Sequence, residues 1–186
     1  MKDDKTLYNE FLEGNVNSFE EIVIKHKDNL IYFISRFTGG DMFIAEDIAQ
    51  DVFAYIYVYK EKYDFNYSFK TFIYTLGKNK AIDQIRKLSK SKLMNFDSET
   101  DYLFPDGESI EEKVIRDEET RNVLKSLKKL KPDYERALYL LAFENFSYND
   151  IAKILGKTLP QTKVLIHRAR KSLKSIMEKG EGKYEE

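Results

Sequence analysis

The chain has 186 residues, of which 42% are hydrophobic and 34% are charged, and this suits one medium domain or two small ones. It contains no cysteine, which excludes disulfide frameworks, thiolate catalysis and cysteine-bound zinc. No apolar run approaches the roughly 18 residues that span a bilayer, so we expect no membrane insertion and a cytoplasmic protein.

The net charge of −1 conceals an uneven distribution along the chain. Residues 1–95 carry 14 basic and 14 acidic side chains, whereas residues 96–121 carry 3 and 10. The remainder, residues 122–186, carries 14 basic and 8 acidic side chains. A neutral, an acidic and a basic segment therefore follow one another.

The acidic segment reads as a linker because it contains Pro105 and Gly107 and has little helical periodicity. We place this linker at residues 96–119. The sequence then predicts one domain over residues 1–95 and a second over residues 120–186. Apolar residues recur every three or four positions in both segments, without the alternation of a strand. The predicted fold class is therefore all-α, with two small helical domains.

The first domain contains several predicted helices in succession. Its early apolar stripes stop at Gly39 and Gly40, after which Asp41 is placed to cap the next helix. That helix carries apolar residues at spacings of three and four: Ile44, Ile48, Val52, Tyr55, Ile56 and Tyr59. A further helix is predicted to start near Ser68.

The helix after Asp41 concentrates polar residues on one face, namely Glu46, Asp47, Gln50 and Asp51. Asp47 and Asp51 are like charges one turn apart, and such a pair costs an isolated helix about 0.2 to 0.5 kcal/mol. The face is either solvated or a docking surface for a basic partner. A carboxylate metal site is disfavoured, because no Glu-x-x-His pair exists and the only histidines are His26 and His167.

The helix that starts near Ser68 changes character along its length. Its apolar stripe of Phe69, Phe72, Ile73 and Leu76 continues at helical spacing into polar residues: Asn79, Asp83 and Arg86. One acidic residue, Asp83, stands among six basic residues: Lys78, Lys80, Arg86, Lys87, Lys90 and Lys92. Basic side chains beside the aromatic stretch KYDFNYSF favour binding of single-stranded nucleic acid, with a solvated helix end as the alternative.

The stretch NFSYNDIAKILGKTLPQTKVLIHRARKSL near the C-terminus predicts a helix-turn-helix. Ser147 is placed to cap a first helix and Gly156 to end it in a left-handed conformation. Thr158 is placed to cap a second helix, whose first turn tolerates Pro160. The expected packing residues are Ile151, Ala152, Leu155, Val164 and Ile166.

The second helix of this motif is basic, and its outward candidates are Gln161, Lys163, Leu165, His167, Arg168, Arg170 and Lys171. Tight helix pairs also occur in purely structural bundles. The basic character of the second helix instead favours insertion into a DNA major groove.

Three stretches together resemble a bacterial RNA polymerase sigma factor of the extracytoplasmic-function group: AEDIAQDVF, FIYTLGKNKAIDQIRK and the segment from Leu130 to Leu173. The resemblance covers nearly the whole chain. It implies that the first domain binds core polymerase and reads the melted minus-ten promoter element. It also implies that the second domain reads the duplex minus-thirty-five element.

The resemblance also assigns residues by position. Glu46, Asp47, Gln50 and Asp51 match the family's core-binding helix, which meets a basic coiled coil of the polymerase. When basic residues of the helix after Ser68 are included, the predicted minus-ten set is Tyr63, Asn66, Tyr67, Lys78, Asn79, Lys80, Arg86 and Lys87. In that set the loop of residues 63–67 matches the loop that pockets a flipped-out base, beside Asn79.

The minus-thirty-five set is Thr158, Gln161, Lys163, Val164, Leu165, His167, Arg168, Arg170 and Lys171. Val164 and Leu165 stand where the family commonly has serine and arginine, and Pro160 replaces a common glycine. The apolar side chains of Val164 and Leu165 are compatible with contact to a thymine methyl group.

The predicted function is therefore a non-enzymatic transcription initiation factor without a cofactor or metal. Its expected partners are core RNA polymerase and promoter DNA, with an anti-sigma factor as a further candidate. The alternative is a homodimeric helix-turn-helix regulator that binds duplex DNA without polymerase. A carboxylate metallo-enzyme is the third and weakest interpretation.

Overall fold

The computed structural model describes residues 2–94 and 118–181. This part of the chain is helical and contains no strand, which confirms the all-α prediction. The chain divides into two compact units, Met1–Pro105 and Asp106–Glu186. The division falls inside the predicted linker, most of which lies outside the described residues. The side chains of Lys90 and Lys92 also lie outside them.

Within the described residues, the first unit consists of α1 (Asp4–Leu12), α2 (Val16–Ser35), α3 (Met42–Val58), a 3-10 turn (Lys60–Lys62) and α4 (Phe69–Met94). The long helix α2 packs against the other three α-helices. Large apolar side chains on α2 are fully buried, among them Ile22, Leu30, Phe33 and Ile34. Burial of each such side chain is worth roughly 1.5 to 3 kcal/mol, so α2 forms the centre of this unit.

The predicted helix boundaries in this unit are confirmed by capping contacts. Asp41 Oδ1 accepts a hydrogen bond from Ile44 N at 3.0 Å and so begins α3. Ser68 Oγ accepts a hydrogen bond from Thr71 N at 3.1 Å and so begins α4. Together these caps fix where the polar faces of α3 and α4 start.

Helix α4 approaches α2 closely at Gly77. A Cβ atom at this position would lie 3.1 Å from Leu30 Cδ1 and 3.2 Å from Ile34 Cγ1. A mid-helix glycine costs about 1 kcal/mol relative to alanine, and close helix packing offsets that cost here. Gly77 therefore sets which side of α4 faces the core.

The second unit consists of α5 (Glu118–Lys128), α6 (Pro132–Ala142), α7 (Tyr148–Leu155) and α8 (Leu159–Glu181), counted within the described residues. Helix α8 packs against α6 and α7. Fully buried apolar side chains from these helices form the core: Leu127, Leu140, Ile151, Ile154, Ile166 and Ala169. The core holds α7 and α8 together as the predicted helix pair.

Candidate polymerase-binding and DNA-binding surfaces

One exposed face of α3 carries the four residues that the sequence predicts to bind polymerase. Asp47, Gln50 and Asp51 are exposed, with 75% of the Asp51 side chain accessible to solvent. Glu46 is partly exposed, and its Oε1 lies 3.4 Å from Lys27 Nζ on α2. The four side chains therefore form one acidic face, and the carboxylates of Asp47 and Asp51 reach solvent.

Phe43 stands at the start of the same face and is 85% exposed. It precedes Asp47 by four residues and Gln50 by seven, so helix geometry aligns the three side chains. Exposed aromatic residues beside polar ones are frequent anchors of protein interfaces. Phe43 is not among the residues predicted from the sequence, although its spacing of four residues from Asp47 places it on the same helix face.

Lys80 is predicted to bind melted DNA, yet its side chain faces α3. Its Nζ lies 3.9 Å from Asp51 Oδ2 and 5.8 Å from the centroid of the Tyr55 ring. This positive charge offsets part of the repulsion between Asp47 and Asp51. Lys80 therefore supports the acidic face of α3.

A groove of about 470 Å³ lies between α3 and α4, and its lining includes Asp47, Gln50, Asp51, Lys80, Gln84 and Lys87. Three of these residues belong to the predicted polymerase-binding set. Two others, Lys80 and Lys87, belong to the predicted minus-ten set. The structure thus brings together residues that the sequence assigns to different partners.

Asn79 is exposed on α4, as are Arg86 and Lys87, whereas Lys78 is half-buried. Arg86 Nη1 lies 3.7 Å from Asp83 Oδ1. The expectation that Asn79, Asp83 and Arg86 extend the buried stripe is wrong. The buried stripe runs instead through Phe69, Ile73, Gly77 and Ala81. Because Gly77 has no side chain, it interrupts the pattern of apolar residues along the buried side of α4. The sequence pattern therefore predicts the wrong side as buried.

The loop of residues 63–67 is predicted from the sequence to capture a base, and we call it the recognition loop. It begins with a buried tyrosine. Tyr63 is 7% exposed and its hydroxyl donates a hydrogen bond to the Tyr67 carbonyl oxygen at 2.7 Å. Burial raises the pKa of Tyr63 to about 12, so the hydroxyl stays a protonated donor. The sequence predicts a DNA contact for Tyr63; the structure instead places its ring in the core, where it closes the loop.

The middle of the recognition loop is held by its own side chains. Asn66 N donates to Asp64 Oδ1 at 3.1 Å, and Asn66 Nδ2 donates to Asp64 Oδ2 at 2.7 Å. Phe65 has a φ of 58°, an uncommon value for a residue with a side chain. Asn66 is exposed and Tyr67 is 43% exposed. The loop is therefore shaped before any partner binds, with Asn66 and Tyr67 at the surface.

The turn between α7 and α8 has the predicted chemistry. Ser147 Oγ accepts a hydrogen bond from Asp150 N at 3.2 Å, and Gly156 ends α7 with a φ of 68°. Thr158 N donates to Gln161 Oε1 at 2.9 Å, while Gln161 N donates to Thr158 Oγ1 at 3.3 Å. These contacts confirm the predicted caps of both helices and fix the start of α8.

Helix α8 separates a buried side from a basic exposed side. Among the α8 residues whose burial the structure describes, those that are fully buried are Thr162, Ile166 and Ala169. Most of the predicted DNA-contacting residues on α8 are exposed: Gln161, Lys163, Val164, His167, Arg168, Arg170 and Lys171. Thr158, at the start of the helix, is exposed as well. The structure thus presents a basic surface beside a tightly capped helix start.

Two adjacent residues on α8 exchange the places that the sequence predicts. Val164 is expected to pack between the helices but is 49% exposed. Leu165 is expected to point outward but is half-buried. A residue two positions from the fully buried Ile166 lies about 200° around the helix, so Val164 faces solvent. The prediction that Val164 packs in the core is therefore wrong.

Two family models match the chain, one in each unit. Residues 22–91 match the family model for Sigma-70 region 2, and residues 120–173 match the model for Sigma-70, region 4. The chain belongs to the sigma-70 family of RNA polymerase sigma factors. The acidic face and the recognition loop lie in the region 2 match, and the helix-turn-helix lies in the region 4 match. Helix α1 precedes both.

Full-length relatives place this sigma factor in the extracytoplasmic-function (ECF) group. It is 29% identical over 169 residues to the ECF RNA polymerase sigma factor SigW of Bacillus subtilis. This match covers 87% of the present chain and 90% of SigW. The chain is 27% identical over 185 residues to the RNA polymerase sigma-H factor of Pseudomonas aeruginosa, with 96% and 95% covered. Sigma factors as a family are transcription factors.

Solved structures share the fold. The sigma factor RpoE of Bartonella quintana, solved with the anti-sigma factor NepR, has a TM-score of 0.63 at 21% identity, with 86% of this chain and 96% of that chain covered. CnrH, solved with the cytosolic domain of CnrY, has a TM-score of 0.64 at 20% identity, with 94% and 97% covered. None of the described helices of this sigma factor is long and apolar enough to cross a bilayer.

Proposed function

We propose that this sigma factor binds core RNA polymerase through α3 and directs it to specific promoters. The observation that carries the proposal is the exposure of Asp47 and Asp51, one turn apart, within the region 2 match. Exposed carboxylates on one helix face favour a partner with a basic surface, because complementary charge speeds association and fixes orientation. Polymerase performs the chemistry, and both proteins act in the cytoplasm.

The first unit reads the melted minus-ten element in this proposal. Asn66 and Tyr67 of the recognition loop and Asn79 of α4 are exposed and offer polar or aromatic contacts to an unpaired base. Recognition of a single base requires that it leave the stack and enter a shaped site. Arg86 and Lys87, exposed further along α4, supply positive charge for the adjoining phosphates.

The second unit reads the duplex minus-thirty-five element. Helix α8 enters the major groove, while α7 crosses the backbone. Lys163, Arg168, Arg170 and Lys171 are exposed on α8 and contact phosphates or base edges. Val164, exposed on the same helix, is suited to contact a thymine methyl group.

An anti-sigma factor is a further partner in this proposal. RpoE, which shares the fold, was solved with the anti-sigma factor NepR. The acidic face of α3, with Phe43 exposed at its start, offers such an inhibitor both charge and apolar contact area. An inhibitor bound there excludes polymerase from the same face.

The test is retention of purified core RNA polymerase by the immobilised sigma factor at moderate salt. The variant Asp47→Lys with Asp51→Lys replaces attraction by repulsion, which typically costs several kcal/mol of binding free energy, so we expect its loss of retention to be complete. Both residues are exposed, so we expect stability to change by about 0.5 kcal/mol or less per residue. Circular dichroism and thermal melting check folding.

The matched control reverses two exposed charges on α2, as Glu20→Lys with Asp28→Lys, and is expected to retain polymerase. Equal retention by all proteins would remove the assignment of the α3 face. A wild-type protein that retains no polymerase, yet shifts duplex DNA as a homodimer, would instead support the stand-alone regulator.

A further inference from the structure

Helix α1 lies outside the region 2 match, yet it packs directly beneath the recognition loop. Its Tyr8 is fully buried, and the centroid of the Tyr8 ring lies 5.0 Å from that of Tyr63 and 5.2 Å from that of Phe69. The Phe65 ring, at the middle of the loop, lies 5.9 Å from Tyr8. One residue of α1 thus contacts the loop at two positions and the start of α4 at a third.

The Tyr8 hydroxyl ties α1 to the turn that leads into the loop. It donates a hydrogen bond to the Lys60 carbonyl oxygen at 2.7 Å. In return, Lys60 Nζ donates to the Leu12 carbonyl oxygen at 3.2 Å and lies 5.5 Å from the centroid of the Phe11 ring. These reciprocal contacts join α1 and the 3-10 turn across about fifty residues of sequence.

Helix α1 is itself anchored to α2 and so offers a rigid support. Asp4 Oδ1 lies 2.6 Å from Lys25 Nζ, and Asp4 Oδ2 lies 3.0 Å from His26 Nε2. Glu10 accepts a hydrogen bond from the Ser18 hydroxyl. Because both ends of α1 are held, Tyr8 has a fixed position relative to the core of the unit.

The recognition loop needs such support because its backbone is strained. Phe65 holds a φ of 58°, and residues with side chains keep such values only where the surrounding structure imposes them. The Phe65 ring lies 4.5 Å from that of Tyr63 and borders Tyr8 on another side. Aromatic packing from α1 therefore helps to impose the conformation that exposes Asn66 and Tyr67.

We propose that Tyr8 is a positioning residue that holds the recognition loop in the shape needed to capture an unpaired minus-ten base. This inference rests on the proposed function of the loop. Tyr8 is buried and touches no DNA itself. It acts through Lys60, Tyr63 and Phe65, and it determines how sharply the loop discriminates between bases.

The experiment uses holoenzyme assembled from core RNA polymerase and the full chain. A duplex library randomised over the minus-thirty-five and minus-ten regions is incubated with holoenzyme, and the open complexes are sequenced. Selectivity is the enrichment ratio of the best to the worst base at each position. The second unit reads the minus-thirty-five region and so provides an internal reference.

Tyr8→Phe removes the hydrogen bond to Lys60 and keeps the ring. We expect it to lower minus-ten selectivity about threefold, because the net free energy of a typical hydrogen bond corresponds to a factor of this size. Minus-thirty-five selectivity is expected to be unchanged. Tyr8→Leu removes the ring contacts too, and we expect a loss of about tenfold or more. The controls are Tyr74→Phe and Tyr74→Leu, since Tyr74 is also fully buried but packs on Phe33 of α2.

The proposal is overturned if minus-ten selectivity of Tyr8→Phe stays within the range of the Tyr74 controls. It is also overturned if selectivity at both promoter regions falls together, because that marks general destabilisation. Should Tyr8→Leu not fold, Tyr8→Phe alone decides. A wild-type holoenzyme that opens promoters without minus-ten selectivity removes the proposed function of the loop, and the role of Tyr8 with it.

Discussion

Thr158 and Gln161 hold each other at the start of α8 through two reciprocal hydrogen bonds, at 2.9 Å and 3.3 Å. The pair satisfies two backbone N–H groups that the first turn of a helix otherwise leaves open. The sequence predicts both residues as DNA contacts. In the structure the two residues also start α8, which carries the other predicted DNA contacts. Substitutions of Thr158 or Gln161 therefore have to distinguish effects on folding from effects on DNA binding.

Gln161→Glu separates the two roles. Glutamate at this position also forms a capping box with Thr158, and a negative charge in the first turn stabilises the helix through its dipole. We therefore expect the melting temperature to stay equal or rise slightly. Affinity for a minus-thirty-five duplex is expected to fall, because the carboxylate repels DNA phosphates. Thermal melting and fluorescence anisotropy measure the two effects.

The comparison variant for Gln161→Glu is Thr158→Ala, which removes the capping oxygen. Loss of such a cap costs about 0.5 to 2 kcal/mol, so we expect a clear drop in melting temperature. If Gln161→Glu melts as low as Thr158→Ala, the reciprocal contact is not what stabilises the helix start. Unchanged duplex affinity of Gln161→Glu argues against a DNA surface near this residue.

The basic residues on α8 predict a particular salt dependence. If Lys163, Arg168, Arg170 and Lys171 each contact a phosphate, each alanine variant lowers duplex affinity and reduces the slope of log K against log salt by roughly one unit. Anisotropy titrations from low to moderate salt give the slopes. Lys129→Ala, an exposed lysine near the end of α5, is the control and is expected to keep the wild-type slope. Identical slopes for all five variants would contradict the groove assignment.

Asn79→Ala tests minus-ten recognition without disturbing the fold. Asn79 is exposed on α4, so we expect its removal to change the free energy of unfolding by about 0.5 kcal/mol or less. Polymerase retention is expected to be unchanged, whereas promoter opening or minus-ten selectivity declines, because a captured base loses polar contacts. Permanganate footprinting of the melted strand measures opening. Asn29→Ala, the same change at an exposed position on α2, is the control, and an equal decline in both variants would refute a special role for Asn79.

The Asp4 carboxylate predicts acid-dependent loosening of α1. Burial raises the pKa of Asp4, but hydrogen bonds from His26 and Lys25 outweigh burial and lower it from 3.8 to about 2. The ionised group therefore stabilises the fold above about pH 4, and this contribution disappears as the pH falls towards 2. We expect the ionised Asp4 carboxylate to contribute about 1 to 2 kcal/mol to the free energy of unfolding, a range that already allows for solvent screening.

The measurement for Asp4 is a series of thermal melts of wild type and Asp4→Asn between pH 7 and pH 2. The variant is expected to melt lower at pH 7 and to converge with wild type at the acidic end. Asp28→Asn, an exposed carboxyl on α2, serves as the control. A constant difference between Asp4→Asn and wild type across the range would show that ionisation of Asp4 does not stabilise α1.

Features that depend on contacts between neighbouring residues could be predicted from the sequence of this protein. Ser147, Gly156 and Thr158 act through neighbours within a few residues, so the start and end of each helix in the pair follow from residue type. The same holds for Asp41 at the start of α3. The acidic face of α3 could also be predicted, because a regular helix fixes the angle between residues that are four positions apart.

The tertiary structure decided what depends on contacts between distant segments. Gly77 faces α2 because α4 approaches closely there, and that contact rotates Asn79 to the surface and Lys80 towards Asp51. Tyr63 looks like a surface aromatic in the sequence but is buried against Tyr8 of α1, more than fifty residues earlier. Spacing along one helix cannot reveal such contacts, because they arise only when separate helices pack and exclude water between them.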